Sequence, residues 1–225
     1  MKINTILTGD CLEIMKTLPD NSIDAIVTDP PYGIQKGKIE GDESLETFKK
    51  SIPEFYRLLK DNSFCAVFTS IKYIPDILTD FKSNKFQYEW EYICYVNNGM
   101  VRGRMGFSCF MPVLIFTKRG GRIKAQLRDV CELSAGIEVK TRLHPYQKDV
   151  RFIKPLLKSI TPPGGIVLDP FSGSGSTLIA AKQEGFNYLG IELNPEYVEI
   201  ANTRLSKECH GNLNDFIPIS EPLEA

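Results

Sequence analysis

Four consecutive residues, Asp29-Pro30-Pro31-Tyr32, follow a short apolar run and have the types needed to hold a planar amine. The two prolines fix φ and remove two backbone N–H donors, so the Asp29 carboxylate and the Pro30 carbonyl are presented as acceptors beside an aromatic ring. The exocyclic amino group of a flipped nucleobase requires two acceptors for its hydrogens and a ring for stacking. The alternative is a rigid turn that ends a strand, with Tyr32 packed on the core.

A glycine turn from Asp169 to Gly175 forms a second candidate site, between a predicted strand and a predicted helix that includes Thr177. Such a turn lets the backbone approach a ligand, and the helix N-terminus favours negative charge. A dinucleotide fingerprint would require glycine where Leu178 stands, and a P-loop would require a lysine that the turn lacks. Glu192 stands 17 residues beyond Gly175, at the end of the next predicted strand, where a carboxylate can accept both hydroxyls of a ribose. The turn and Glu192 together indicate an adenosine-type ligand without a diphosphate.

The segments that must position these residues alternate between strand and helix. Strands are predicted over 3–7, 23–28, 64–68, 88–96, 113–117, 166–168 and 188–191, and helices over 11–18, 44–59, 73–81, 145–160, 177–184 and 195–207. Such alternation is typical of βαβ units in a doubly wound, mostly parallel sheet, so the sequence predicts an α/β fold. The glycine turn then lies at the carboxyl edge of that sheet, where cofactors bind.

The composition is that of one globular domain. The 225 residues are 42% hydrophobic and 24% charged, which excludes disordered, collagen-like and disulfide-scaffold classes. No apolar run approaches the roughly 20 residues that span a bilayer, so we expect no membrane partner and a cytoplasmic location. The six cysteines show no close pairing in the sequence and there are only two histidines, which argues against a zinc site.

Positive charge is concentrated in one segment although the whole chain has a net charge of -1. Between Tyr92 and Arg128 there is no Asp or Glu and there are seven Lys or Arg residues. A segment of this kind attracts polyanions such as nucleic acids. A solvated basic face without a partner is the alternative interpretation.

The two candidate sites in this order resemble the β class of S-adenosylmethionine-dependent DNA amino-methyltransferases, in which the catalytic motif precedes the cofactor motif. The resemblance rests on the following blocks: Asp29-Pro30-Pro31-Tyr32, Asp169-Pro170-Phe171-Ser172-Gly173-Ser174-Gly175, Gly9-Asp10, His144-Pro145-Tyr146-Gln147-Lys148 and Gly190-Ile191-Glu192-Leu193-Asn194-Pro195. It covers roughly residues 5–207. The family's usual H-P-T-Q-K-P is H-P-Y-Q-K-D here, so Tyr146 and Asp149 depart from the pattern.

The resemblance implies a role for each matching residue. Asp10 would accept from the cofactor adenine and Glu192 from its ribose. The glycine turn would enclose the methionyl part of the cofactor with help from Lys148 and Thr177. The expected cofactor-binding residues are Asp10, Lys148, Asp169, Phe171, Gly173, Ser174, Gly175, Thr177 and Glu192, and the expected catalytic residues are Asp29, Pro30, Pro31 and Tyr32. For Asp10, a helix N-cap is the alternative.

The resemblance also implies a seven-stranded, Rossmann-like sheet with helices on both faces and an antiparallel strand near residues 88–117. Residues 1–210 would form a single catalytic domain, with 97–142 as an embedded target-recognition region and 211–225 as a tail. Arg102 and Arg104 would contact base edges, because a guanidinium can bond guanine in two places. The expected phosphate contacts are Lys118, Arg119, Arg122 and Lys124.

The implied activity is direct methyl transfer to the N6 amino group of a flipped adenine in double-stranded DNA. Adenine comes first because family members with Asp in the tetrapeptide are mostly adenine enzymes. Cytosine N4 is the near alternative; an RNA or protein-amide methyltransferase and a catalytically silent nucleic-acid-binding module are more distant ones. A homodimer and a cognate restriction nuclease stay open as partners.

Overall fold

The computed structural model describes residues 1–31, 45–96, 101–102, 107–133 and 147–207. Within them the strands are β1 Thr5–Thr8, β2 Ile23–Thr28, β3 Leu59–Phe68, β4 Gln87–Val96, β5 Val101–Arg102, β6 Phe107–Ser108, β7 Phe110–Lys118, β8 Val130–Leu133, β9 Ile166–Asp169 and β10 Asn187–Glu192. The α-helices are α1 Cys11–Lys16, α2 Glu46–Leu58, α3 Ile74–Ser83, α4 Val150–Ile160, α5 Ser176–Gln183 and α6 Pro195–Lys207, and a single 3-10 turn at Ile71–Tyr73 precedes α3.

The main sheet has the strand order β1-β10-β9-β2-β3-β7-β4-β8. The five strands from β1 to β3 are parallel, β7 is antiparallel to both of its neighbours, and β8 is parallel to β4. The predicted doubly wound, mostly parallel sheet and its antiparallel strand are therefore confirmed. The predicted number of seven strands is wrong for the described residues, because β8 adds an eighth.

The short strand β8 has little sequence signal of its own. Its four residues, Val130–Leu133, are partly or fully exposed, so they lack the apolar run that marks a buried strand. The strand is formed by pairing with the second half of β4, from Ile93 to Val96. Because its partner β4 is distant in the sequence, local sequence patterns do not predict this strand.

Helices cover both faces of the sheet, as predicted. The central strand β2 is buried along its whole length, which is typical of a parallel strand covered on both sides. Ala25 and Val27 contribute to a core that includes side chains of α4 and α5. Ile23 and Ile26 contribute to the opposite core, which is built with α1, α2 and α3. Among the described helices, none has the length and apolar character that crossing a membrane requires.

The strands β2 and β9 lie side by side where the winding of the sheet reverses. From β2 the chain continues to β3 on one side, and from β9 it continues to β10 on the other. This boundary is the topological switch point, where α/β sheets of this kind bind ligands beyond the carboxyl ends of their strands. At the amino end of the pair, the Asp24 carboxylate accepts a hydrogen bond from the Ile166 backbone N–H (2.9 Å) and pairs with the Lys60 ammonium (2.7 Å).

Candidate active site

The residues Asp29, Pro30 and Pro31 directly follow the buried end of β2 at the carboxyl edge of the sheet. Pro30 is buried, whereas Asp29 and Pro31 are partly exposed. The Asp29 carboxylate forms an ion pair with the ammonium of Lys148 through Oδ2. Both side chains in this pair are about three-quarters buried, with 23% of Asp29 and 21% of Lys148 exposed. Tyr32, the fourth predicted catalytic residue, lies outside the described residues.

A hydrogen bond joins the end of β2 to the glycine turn. Thr28 Oγ1, which is fully buried, donates to Asp169 Oδ1 at 2.8 Å. The same carboxylate oxygen accepts the Phe171 backbone N–H at 3.2 Å, and Thr177 also hydrogen-bonds to this side chain. Asp169 therefore fixes the turn internally and attaches it to the strand that carries Asp29.

Burial determines the charge state of Asp169. It raises the pKa of this carboxyl from its ordinary value of 3.8 to about 7, while the hydrogen bonds from Thr28, Thr177 and the Phe171 backbone act in the opposite direction. The negative charge of Asp29 adds a smaller upward effect. Near neutral pH this buried side chain consequently exchanges between its protonated and ionised forms.

Two glycines in the turn adopt left-handed backbone conformations, with φ of 49° at Gly173 and 82° at Gly175. A Cβ at Gly175 would lie 2.9 Å from the Cβ of Ala201, so close helix packing also requires glycine there. A Cβ at Gly173 would meet no atom within 4 Å, so its backbone faces open space. The turn is thus tightly packed at Gly175 and open at Gly173, and the open side leaves room for the close approach of a ligand.

The carboxylate of Glu192 is held against the open side of the turn, at Gly173. Its Oε2 accepts the Gly173 backbone N–H at 2.7 Å, and its Oε1 accepts the Asn194 backbone N–H at 2.9 Å. Burial raises the pKa of Glu192, and these backbone hydrogen bonds lower it in part. Each carboxylate oxygen has a second lone pair, so both can accept from a further donor.

Asp10 lies next to Glu192 because β1 and β10 are neighbours, with Thr8 in register with Glu192. The structure confirms the helix N-cap alternative for this residue, since Asp10 Oδ1 accepts the Leu12 backbone N–H at 2.7 Å. The cap leaves the side chain exposed at the same edge as Glu192. Capping the helix and accepting from a ligand are compatible because a carboxylate offers several lone pairs.

The structure brings the described members of both predicted sites to one edge. These are Asp10, Asp29, Pro30, Pro31, Lys148, Asp169, Phe171, Gly173, Ser174, Gly175, Thr177 and Glu192. Phe171 contacts the ring of Phe48 edge-on, with 6.4 Å between ring centroids. Ser174 is buried, and its backbone carbonyl (2.5 Å) and side-chain hydroxyl (3.1 Å) both accept hydrogen bonds from Arg204 Nη1. These two bonds hold the turn in place.

Three residues with roles at this edge were missed by the sequence interpretation: Thr28, Arg204 and Asp149. Asp149 caps α4 by accepting the Arg151 backbone N–H at 2.9 Å. An Asp directly before an apolar periodic segment is an N-cap signal. The Asp that stands at position 149 in place of the family's proline could therefore have been predicted as a helix cap. Thr28 and Arg204 carried no such local signal, because their partners are distant in the sequence.

The phosphate role predicted for Lys118 is wrong. This side chain is buried, and its ammonium donates to Asn21 Oδ1 and to the Leu59 carbonyl, both at 2.7 Å. Burial lowers the pKa of Lys118, and the carboxylate of Asp61, at 3.6 Å, opposes that effect. The residue is therefore part of the polar packing between the start of β3 and the end of β7.

The other three predicted phosphate contacts are exposed but lie at the amino edge of the sheet. Lys118 is in register with Ser63 near the start of β3, about 15 Å along the strands from the edge that carries Asp29. Arg119 follows directly, and Lys124 is fixed beside the end of α4 by its N–H bond to the Ser159 carbonyl (2.7 Å). Arg122 lies between Arg119 and Lys124 in the sequence. We therefore do not include Arg119, Arg122 and Lys124 in the DNA-contacting surface.

The segment around Arg102 has the opposite placement. It connects the carboxyl end of β4 to the start of β7, where the Val96 N–H donates to the Cys109 carbonyl at 2.8 Å. Within it, β5 and β6 form a short antiparallel pair with Arg102 opposite Phe107. This backbone lies at the edge that carries Asp29, whereas Arg104 lies outside the described residues.

These features define a doubly wound α/β protein in which acidic acceptors around a glycine turn adjoin the Asp29-Pro30-Pro31 segment at the switch point. Among the described residues, no cluster of His, Cys, Asp and Glu has the arrangement needed for a metal ion. The arrangement is suited to holding a nucleoside-type ligand beside a planar amine.

The chain belongs to the DNA methylase family, whose sequence profile matches residues 23–203. It is 31% identical to YubD of Escherichia coli (strain K12) over 209 residues, which cover 91% of each chain. It is 27% identical to the type II methyltransferase M.HpaI of Haemophilus parainfluenzae, over 92% of this chain and 75% of the relative.

The chain is also similar to solved structures. The M1.HpyAVI–SAM complex is 27% identical to this chain, with a TM-score of 0.72 over 89% of this chain and 98% of the other. The PvuII DNA methyltransferase, which is described as cytosine-N4-specific, shares the fold with a TM-score of 0.73 at 18% identity. The structural match covers 93% of this chain and 86% of the PvuII chain.

We expect the raised pKa of Asp169 to make stability depend on pH. Between pH 4 and 7 the folded state binds a proton that the unfolded chain has released, so this group's contribution to stability decreases as pH rises through that window. Asp169→Asn removes the titration but keeps an acceptor for Thr28. In urea unfolding at pH 5 and pH 8, wild type should therefore lose more stability between the two pH values than the variant does. Equal losses in both proteins would contradict the assignment.

Proposed function

We propose that this protein transfers a methyl group from S-adenosylmethionine to the N6 amino group of adenine in double-stranded DNA. The observation that carries the proposal is the hydrogen bond from Thr28 to Asp169, which joins the strand that precedes Asp29 to the glycine turn at the switch point. Membership of the DNA methylase family supports DNA as the methylated molecule.

The residues present fit S-adenosylmethionine. Glu192 offers acceptors for the two ribose hydroxyls, Asp10 offers an acceptor for the adenine amine, and the open face of Gly173 leaves room beside both. The solved M1.HpyAVI complex contains this cofactor within the same fold. When bound, the cofactor supplies a methyl group that its sulfonium makes electrophilic.

The protein's own part in the reaction is to orient and stabilise the target amine. The Asp29 carboxylate and the Pro30 carbonyl accept its two hydrogens, which leaves the nitrogen lone pair directed at the methyl group. Asp29 also carries a negative charge beside a nitrogen that becomes cationic as the N–C bond forms and the S–C bond breaks. Because both acceptors are fixed at the end of a buried strand, little reorganisation accompanies the transfer.

Analysis of methylated nucleosides tests the function and the target base together. Unmodified duplex DNA is incubated with the protein and cofactor, digested to nucleosides and analysed by mass spectrometry. We expect N6-methyldeoxyadenosine. N4-methyldeoxycytidine would replace adenine by cytosine as the target, and methyl groups found in RNA or protein acceptors but not in DNA would contradict the proposal.

Loss of the Asp29 carboxylate should abolish most of the activity. Asp29→Ala removes an acceptor and a charge that orient the amine, so we expect single-turnover methyl transfer to fall at least about 100-fold. Cofactor affinity should stay near that of wild type, because Glu192, Asp10 and the glycine turn are unchanged. Asp29→Asn should retain partial activity through its amide oxygen.

The matched control for this measurement is Asp76→Ala, which removes an exposed carboxylate in the first turn of α3. It should methylate DNA at the wild-type rate. A folded Asp29→Ala protein with wild-type turnover would contradict the assigned role, as would a variant that loses cofactor binding together with activity.

The cofactor assignment predicts that Glu192→Gln weakens binding of S-adenosylmethionine at least tenfold. The amide presents only one acceptor oxygen, and a hydrogen bond to a charged acceptor contributes about 1.5–3 kcal/mol. Isothermal titration calorimetry measures the change. Glu199→Gln, at an exposed position on α6, is the control and should bind like wild type. Unchanged affinity of Glu192→Gln would remove this residue from the cofactor site.

The proposed DNA surface is the segment between β4 and β7, with Arg102 and Arg104 as base-edge contacts. Arg102→Ala should weaken DNA binding and alter its sequence preference. Arg122→Ala removes an exposed arginine at the opposite edge of the sheet and should leave both properties unchanged. Binding affinities for duplexes with and without the preferred sequence, measured at several salt concentrations, distinguish the two variants. Equal effects of the two substitutions would contradict the placement.

A further inference from the structure

The ion pair between Lys148 and Asp29 connects two segments that are distant in the sequence. Lys148 directly precedes Asp149, the N-cap of α4, so the start of that helix determines where its side chain emerges. Asp29 directly follows β2. Because both side chains are mostly buried, their attraction is screened less than that of a surface pair. The pair can therefore fix the orientation of the carboxylate.

The position of Lys148 is not one that favours a cation for stability alone. A positive charge at the N-terminal end of a helix opposes the helix dipole. The ammonium also lies 6.0 Å from the ring centroid of Phe68, a fully buried residue at the carboxyl end of β3. This ring and the Asp29 carboxylate together hold the cation beside the predicted amine-binding motif.

The ion pair is compatible with binding of the target amine. It engages Oδ2 of Asp29, and a carboxylate has two oxygens with about four acceptor positions. A base amine can therefore donate to Asp29 while Lys148 stays in place. A carboxylate that pairs with a cation at one oxygen is fixed in orientation, and so are the directions of its lone pairs.

We propose that Lys148 is a positioning residue for methyl transfer, which holds the Asp29 carboxylate in the orientation that accepts the target amine. This inference rests on the proposed function. It differs from the role implied by the sequence resemblance, in which Lys148 contacts the methionyl part of the cofactor. The two roles predict different kinetic consequences when the lysine is replaced.

The first test replaces Lys148 by methionine, which is unbranched, one atom shorter and uncharged. We expect the single-turnover rate at saturating DNA and cofactor to fall at least tenfold, with the cofactor dissociation constant within twofold of wild type. Lys148→Arg retains a cation and should recover part of the rate. Lys154→Met, the matched control, removes a similarly buried lysine of α4, which pairs with Glu184 at the end of α5, and should leave the rate unchanged.

The second test is a double-mutant cycle with Asp29→Asn. If Lys148 acts through the Asp29 carboxylate, adding Lys148→Met to Asp29→Asn should lower the rate less than twofold further, because the interaction is already lost. Circular dichroism and thermal unfolding of every variant establish that the proteins compared are folded.

Three results would overturn the positioning role. They are an unchanged Lys148→Met rate, a tenfold further loss in the Asp29→Asn background, and a weakened cofactor affinity with a normal rate at saturation. The last result would instead support contact with the cofactor. Failure of the proposed function is recognised separately, because wild-type protein would then form no methylated nucleoside in the same assay.

Discussion

The site depends on the side-by-side placement of β2 and β9, which side-chain hydrogen bonds hold at both ends. Asp24 bonds the start of β9, and Thr28 donates to Asp169 where the two strands end. Parallel strands bring their carboxyl ends to one edge, so this pairing places Thr28 and Asp169, 141 positions apart in the sequence, beside each other. Without it, the Asp29 motif and the glycine turn would be two unrelated features.

Around this pairing the described part of the carboxyl edge is rich in carboxylates, each held by donors that the fold supplies. Backbone N–H groups bond to Glu192 and Asp10, Thr28 bonds to Asp169, and Lys148 pairs with Asp29. Buried or half-buried carboxylates are costly unless they are bonded in this way. The same bonds fix their directions before any ligand binds, and such preorganisation is the main electrostatic source of catalysis in enzymes of this kind.

Local patterns predicted the sheet class, because a buried strand such as β2 and a glycine turn are defined by their own residues, and the family resemblance added the antiparallel strand. They did not predict β8, whose formation depends on β4, or the burial of Lys118, whose partners Asn21 and Leu59 are distant in the sequence. The basic segment was correctly seen as a concentration of charge. Which edge of the sheet each residue reaches is a property of strand direction, and composition carries no information about it.

A crystal structure of the protein with duplex DNA and a non-reactive cofactor analogue would show whether the carboxyl edge holds both reactants. We expect a base turned out of the duplex, with its amine bonded to the Asp29 carboxylate and the Pro30 carbonyl. We also expect the ribose of the analogue to be bonded to Glu192, with Lys148 still paired to Asp29. A base or analogue bound at the amino edge of the sheet, or an amine that contacts neither Asp29 nor Pro30, would contradict the proposed site.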